Sequence, residues 1–117
     1  MIYAIECRGM PRDAFSGHLE LLLLAALRGR PMHGYAIIEH VRLASNGQFD
    51  YAEGTIYPAL RRLEDEGLLR SSWVEQEGRR RRVYELSRSG EQALLGRRRE
   101  WERVVSGVSA VLEHGRA

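Results

Sequence analysis

From about Asp13 the apolar residues recur at three- and four-residue spacing. Phe15, Leu19, Leu22, Leu23, Ala26 and Leu27 share one face, which predicts a first amphipathic helix. Arg28-Gly29-Arg30-Pro31 supplies its stop, with basic residues in the last turn followed by glycine and proline. A second helix is predicted from about His33 to Ala44, with Tyr35, Ile37, Ile38 and Val41 inward, and Ser45-Asn46-Gly47 ends it as a turn. A third begins between Ala52 and Gly54 and reaches about Glu66. Its core stripe is Ile56, Leu60 and Leu63, at i, i+4 and i+7, and Gly67 terminates it. Pro58 is tolerated best in a first turn, so it argues for a start nearer Gly54 or for a bent beginning.

The pattern then changes. Leu69 to Glu75 and Arg82 to Leu86 contain the strand-favouring Trp73, Val74, Val83 and Tyr84, and Gln76-Glu77-Gly78-Arg79 between them has the glycine of a short hairpin. Ser87 or Ser89 caps a last helix that continues to about His114. Along it Leu94, Trp101 and Val108 are spaced by seven, as are Val104 and Val111, and Val105 and Leu112. Seven residues return a side chain to the same face, the repeat of a helix–helix seam. A second copy of the chain best explains that stripe, and folding back on the first helix is the alternative. Gly96 and Gly107 each weaken the helix by roughly 1 kcal/mol relative to alanine, which also favours an external partner. The expected fold is mainly α with a small β-hairpin: a winged helix-turn-helix plus a C-terminal dimerisation helix. Residues 1–12 form an N-terminal arm without clear period, in which Met10 is an alternative start. The winged domain covers 13–88 and the dimerisation helix 89–114.

Composition narrows the function. The chain has 117 residues, 44% hydrophobic and 29% charged, enough for one domain with a modest core. The longest apolar run, Leu21 to Leu27, is too short to span a bilayer, and charges at Glu6, Arg8, Arg12 and Asp13 break up any secretory signal. The single Cys7 fits a reducing compartment, so a cytoplasmic location is expected. Net charge is only +2, yet all 18 basic residues are arginine, whose planar fork suits phosphate and guanine. Arg79, Arg80, Arg81 and Arg82 are consecutive, with Glu64, Asp65 and Glu66 as an acidic patch elsewhere. A local basic block on a nearly neutral chain suggests a small anion-binding face.

Catalytic constellations are missing: no glycine-rich phosphate loop, no paired-histidine zinc helix, no cysteine cluster. No enzyme activity, cofactor or metal is therefore expected. A zinc-sensing variant would have to use Cys7, His33 or His40, of which the two histidines stand seven residues apart. The third helix leaves Thr55, Tyr57, Arg61 and Arg62 outside its core stripe. A helix fits the major groove of B-DNA, and its first turns reach base edges. The bland alternatives are that Tyr57 is partly core and that Arg61 pairs with Asp65 at i+4. Four arginines at one hairpin tip repel one another, and a polyanion relieves that repulsion through phosphates or the minor groove.

The strings His33-Gly34-Tyr35, GTIYPALRRLEDEGLL from Gly54 to Leu69 and RRVYELS ending at Ser87 resemble the PadR family of transcriptional regulators, over about Leu19 to Gly90. The resemblance implies a dimeric winged-helix repressor on a palindromic double-stranded operator, of the short type with a single C-terminal dimerisation helix. By position it places Tyr35, Thr55 and Tyr57 near the DNA backbone or groove, and Arg79 to Arg82 near the minor groove. It implies varied small-molecule signals, so Trp101 is a candidate platform for a planar aromatic effector, with ordinary dimer packing as the alternative. The chain departs from the pattern at Ala52, where many members carry a serine cap, and in its longer arm before Asp13. The rival function is a winged-helix protein-interaction module that no longer binds DNA specifically.

Overall fold

The computed structural model describes residues 18–114. The arm, Cys7 and Phe15 lie outside the described residues. Helix α1 covers 18–26, followed by strand β1 (Met32–His33), α2 (Gly34–Ala44), α3 (Glu53–Asp65), β2 (Leu69–Gln76), β3 (Arg79–Leu86) and α4 (Arg88–His114). Strand β1 was not expected. It is two residues long and pairs Met32 with Tyr84 and His33 with Val83, making a three-stranded antiparallel sheet in the order β1-β3-β2.

The core forms where the apolar faces of α1, α2 and α3 meet the base of the hairpin. Leu23, Leu24, Ile37, Ile56, Leu60, Leu63 and Leu69 are fully buried. Ile56, Leu60 and Leu63 are the stripe expected of α3. In α2 the inward set is Ile37, Ile38 and Val41, and Tyr35 corrects the expectation by facing out, 54% exposed. Its neighbour Gly34 is buried instead, so the turn that begins α2 presents glycine to the interior and tyrosine to solvent.

The hairpin also differs from expectation. Glu77 and Gly78 make the turn, with φ of 53° and 77°, the two positive values of a type I′ connection. Arg79 to Arg82 are therefore not the tip. They are the first half of β3, paired with Gln76, Glu75, Val74 and Trp73 respectively. A strand alternates its side chains, so the run divides, Arg80 and Arg82 on one face and Arg79 and Arg81 on the other. The repulsion expected of four charges in one loop is thereby spread over both faces of the wing.

Helix α4 starts on a built cap. Ser87 Oγ accepts from Gly90 N at 3.0 Å and donates to Gly67 O at 2.6 Å, while Ser87 N donates to Leu68 O at 3.0 Å. A Cβ on Gly90 would collide with the Leu68 carbonyl oxygen. The first turn of α4 is thus seated on the α3–β2 connection. Leu94 corrects a second expectation: at 7% exposure it belongs to the chain's own core, not to a seam with another molecule. Beyond Trp101 the helix leaves the domain, and Val104, Val105, Val108, Val111 and Leu112 are exposed.

Candidate nucleic-acid interface

Helix α3 begins at Ala52, which offers no side chain as a cap; Thr55 N and Ile56 N both donate to its carbonyl at 3.0 Å. Pro58 lies in the second turn and has no N–H to give the Gly54 carbonyl. Because Gly54, Thr55, Tyr57, Pro58 and Arg61 are all exposed, this imperfect beginning of α3 is the part that faces solvent. Arg61 has no ion-pair partner among the described residues. Arg62, one position on, stands 3.5 Å from Glu20, which also holds Arg97 at 2.8 Å. The two arginines were expected to act alike; the helix turns Arg62 toward α1 and leaves Arg61 free.

Tyr57 reaches across to α2. Its ring lies over Gly34 so closely that a Cβ there would be 2.5 Å from Cε1 and from the hydroxyl. Glycine at 34 is what lets the two helices meet at this point. Burial pushes the Tyr57 phenol up, the Glu53 charge adds to that, and Arg81 opposes it. His33 caps α2, its Nδ1 accepting from Ala36 N at 3.2 Å, and its Nε2 faces Arg81 at 3.4 Å. Tyr57, Arg81, His33 and the first turn of α2 therefore converge, with Tyr35 exposed beside them. The sequence offers His33 only as a zinc-sensing candidate and Gly34 only within the His-Gly-Tyr string before an apolar helix; neither is expected at a DNA-contact site.

On the other face of the wing, the Arg80 guanidinium stands 4.7 Å from the Trp73 ring centroid and that of Arg82 5.4 Å. Arg82 Nε donates to Ser71 Oγ at 3.0 Å. Ser71 Oγ donates to Glu64 Oε2 at 2.6 Å. Trp73, Ser71 and Glu64 were not expected at the site; only the strand register brings them to the arginines.

Away from this surface, the Trp101 ring is 4.7 Å from that of His18, which is 5.5 Å from Phe49. An open groove of about 740 Å³ runs beside it, lined by the apolar Leu22, Leu94, Leu95 and Trp101 and by Arg28 and Arg98. Among the described residues no cluster of histidine, cysteine and carboxylates could hold a metal ion, and no helix is long and apolar enough to cross a membrane.

Three helices closed by a hairpin that pairs with a short strand define a winged helix-turn-helix protein. Residues 23–95 match the transcriptional regulator PadR-like family, and the chain belongs to that family. Family and structural neighbours are transcriptional regulators, not enzymes. The chain is 33% identical to a PadR family transcriptional regulator from Eggerthella lenta, with a TM-score of 0.72 over 97% of each chain. It is 43% identical over 61 residues to the transcriptional regulator Rv3488 of Mycobacterium tuberculosis, which is 52% of this chain and 57% of that protein. Bacillus subtilis PadR in complex with operator DNA superposes with a TM-score of 0.61 at 28% identity, over 67% of this chain and 45% of that one.

Proposed function

We propose that the chain is a cytoplasmic, sequence-specific DNA-binding repressor that acts as a homodimer and is released by a small molecule. The observation that carries this reading is the convergence of Tyr57, Arg81 and the start of α2 beside the exposed first turns of α3. A solvent-facing helix start flanked by arginines has the shape and charge to enter a major groove and hold phosphates on either side. Thr55 and Tyr57 read base edges. Tyr35, Arg61, Arg79, Arg80 and Arg81 contact the backbone or the adjacent minor groove. Arg62 is left out because Glu20 holds it. That the Bacillus subtilis relative was solved on operator DNA supports the same use here.

The winged part, through Arg88, is the reading unit, and α4 joins two copies through Trp101, Val104, Val105, Val108, Val111 and Leu112. The groove beside Trp101 suits a planar aromatic effector, whose binding would change the packing of the two long helices and so the spacing of the wings.

The test is a fluorescence-anisotropy titration with labelled DNA from upstream of the chain's own gene, at several salt concentrations and against unrelated competitor DNA. Specific binding should exceed competitor binding by about 10³-fold or more and fall steeply with salt. Equal weak binding to both DNAs contradicts sequence specificity. No binding at low salt favours the protein-interaction module.

A further inference from the structure

A carboxylate beside a DNA-binding surface ordinarily lowers affinity, because it repels the phosphates. Glu64 occupies such a position near the end of α3, half-buried and with its carboxylate engaged by the wing. Its Oε2 accepts the Ser71 hydroxyl at 2.6 Å, and Arg82 Nη2 stands 3.8 Å from the same oxygen. Arg82 Nε donates to Ser71 Oγ at 3.0 Å, so helix, β2 and β3 meet in one three-residue network. The remaining face of the Arg82 guanidinium lies toward Trp73, whose ring also faces Arg80. Arg82 is therefore already partnered on its Nε, near its Nη2 and over its plane. Among the described residues Arg80 has only the indole.

The place of this network in the wing gives it a role. Core contacts hold the hairpin at Leu69, Tyr84 and Leu86, and β1 pairs only as far as Val83. Beyond that level, among the described residues, the backbones of β2 and β3 pair only with each other, and a two-stranded hairpin alone is marginal in water. Arg81 ties one face of it to His33, and the network ties the other face to α3. Ser71 pairs with Tyr84 and Trp73 with Arg82, so the network lies at the point where the free part of the wing leaves the domain.

We propose that Arg82 is a positioning residue rather than a phosphate contact: Glu64, Ser71 and Arg82 brace the wing against α3, and the shared Trp73 ring holds Arg80 ready for the DNA backbone. This rests on the DNA-binding reading above. The brace makes a prediction of opposite sign to simple electrostatics. Removing Glu64 deletes a negative charge, which favours DNA binding, but also frees the wing, which opposes it.

The test has two arms, each using the full chain and variants whose thermal melts remain cooperative. In the free protein, amide hydrogen exchange over residues 69–86 is compared for wild type, Glu64→Ala, Glu64→Gln and Arg82→Ala. Exchange beyond Ser71 should be faster in both alanine variants and nearer to wild type in the glutamine variant, which keeps an acceptor oxygen. Unchanged exchange in the alanine variants overturns the brace. On DNA, Glu64→Ala and Arg82→Ala should each weaken binding about tenfold, and the double variant should be little worse than either, as for two members of one network. The slope of log affinity against log salt should stay as in wild type for Arg82→Ala and shrink by about one for Arg80→Ala. Tighter binding by Glu64→Ala, or a slope reduced in Arg82→Ala, overturns the proposal. If the wild type binds no DNA specifically, the repressor reading fails, and the brace is decided by exchange alone.

Discussion

His33 shows how one side chain can tie several elements together and set a pH limit. It is paired through its backbone with Val83, caps α2 through Nδ1, and turns Nε2 to Arg81. A neutral imidazole that accepts at Nδ1 carries its proton on Nε2, so the ring presents N–H to a guanidinium. Burial first, and the Arg81 charge second, hold the imidazolium below its ordinary pKa of 6.5. The unfolded chain therefore binds this proton more readily than the folded one, and the sign follows from linkage. The stability contributed by neutral His33 is fully present above pH 6.5 and is lost as pH falls through its lower folded-state value. Protonation also removes the Nδ1 acceptor, and with it the cap. Thermal melts between pH 8 and 5 should show wild type losing more stability on acidification than His33→Asn, which can still cap a helix but does not titrate. Since His18, His40 and His114 are common to both proteins, the difference between the two curves isolates His33. Parallel curves would remove the role assigned to this ring.

At the scale of the element, α4 explains why a pattern in sequence can be right about a face and silent about what covers it. Leu94, Trp101 and Val108 form one column at seven-residue spacing, and all three were expected at a dimer seam. The column is continuous, but the domain beneath it is not. Ser87 and Gly90 seat the first turns on the α3–β2 connection, which brings Leu94 into the core, while the later turns extend past the end of the domain. Two substitutions in the same column should therefore act differently. Leu94→Ala should destabilise the fold by about 2–5 kcal/mol, seen as a lower melting temperature. Val108→Glu, at an exposed position, should leave the winged domain folded by circular dichroism and shift sedimentation velocity from dimer to monomer. A Val108→Glu protein that sediments as the wild type does would take the seam away from this helix. The same limit accounts for the wing. A run of arginines looks like a loop because charge is counted locally, whereas Arg79 to Arg82 are strand residues whose partners, from Gln76 back to Trp73, become apparent only once the Glu77-Gly78 turn fixes the register. The core stripe of α3 needed no such information, since Ile56, Leu60 and Leu63 lie within one helix. Strand β1 was illegible because two residues carry no period, and Glu20 gave no local hint of Arg62 or Arg97.

For the whole molecule, shape and charge together set the geometry of DNA recognition. The described chain measures 60 × 28 × 24 Å, and α4, with 27 residues, supplies about 40 Å of length. Net charge is only +2, so attraction to DNA has to come from the local arginine surface rather than from the protein as a whole. Such a surface is small, and one copy alone would grip few phosphates. In the proposed dimer, pairing two copies through α4 would double the grip and fix the separation of the two α3 helices, so both would have to find their grooves on the same side of the duplex. B-DNA turns once in about 10 base pairs, so inserting about 5 base pairs between the half-sites moves one of them to the far side. A rigid dimer should then bind no more tightly than it binds a single half-site, and its salt dependence should fall to about half, because half the phosphate contacts are lost. Anisotropy titrations on the native and the lengthened operator measure both quantities. Unchanged affinity would mean that the two reading heads are flexibly joined, and the long helix would then serve to tether them without setting their spacing.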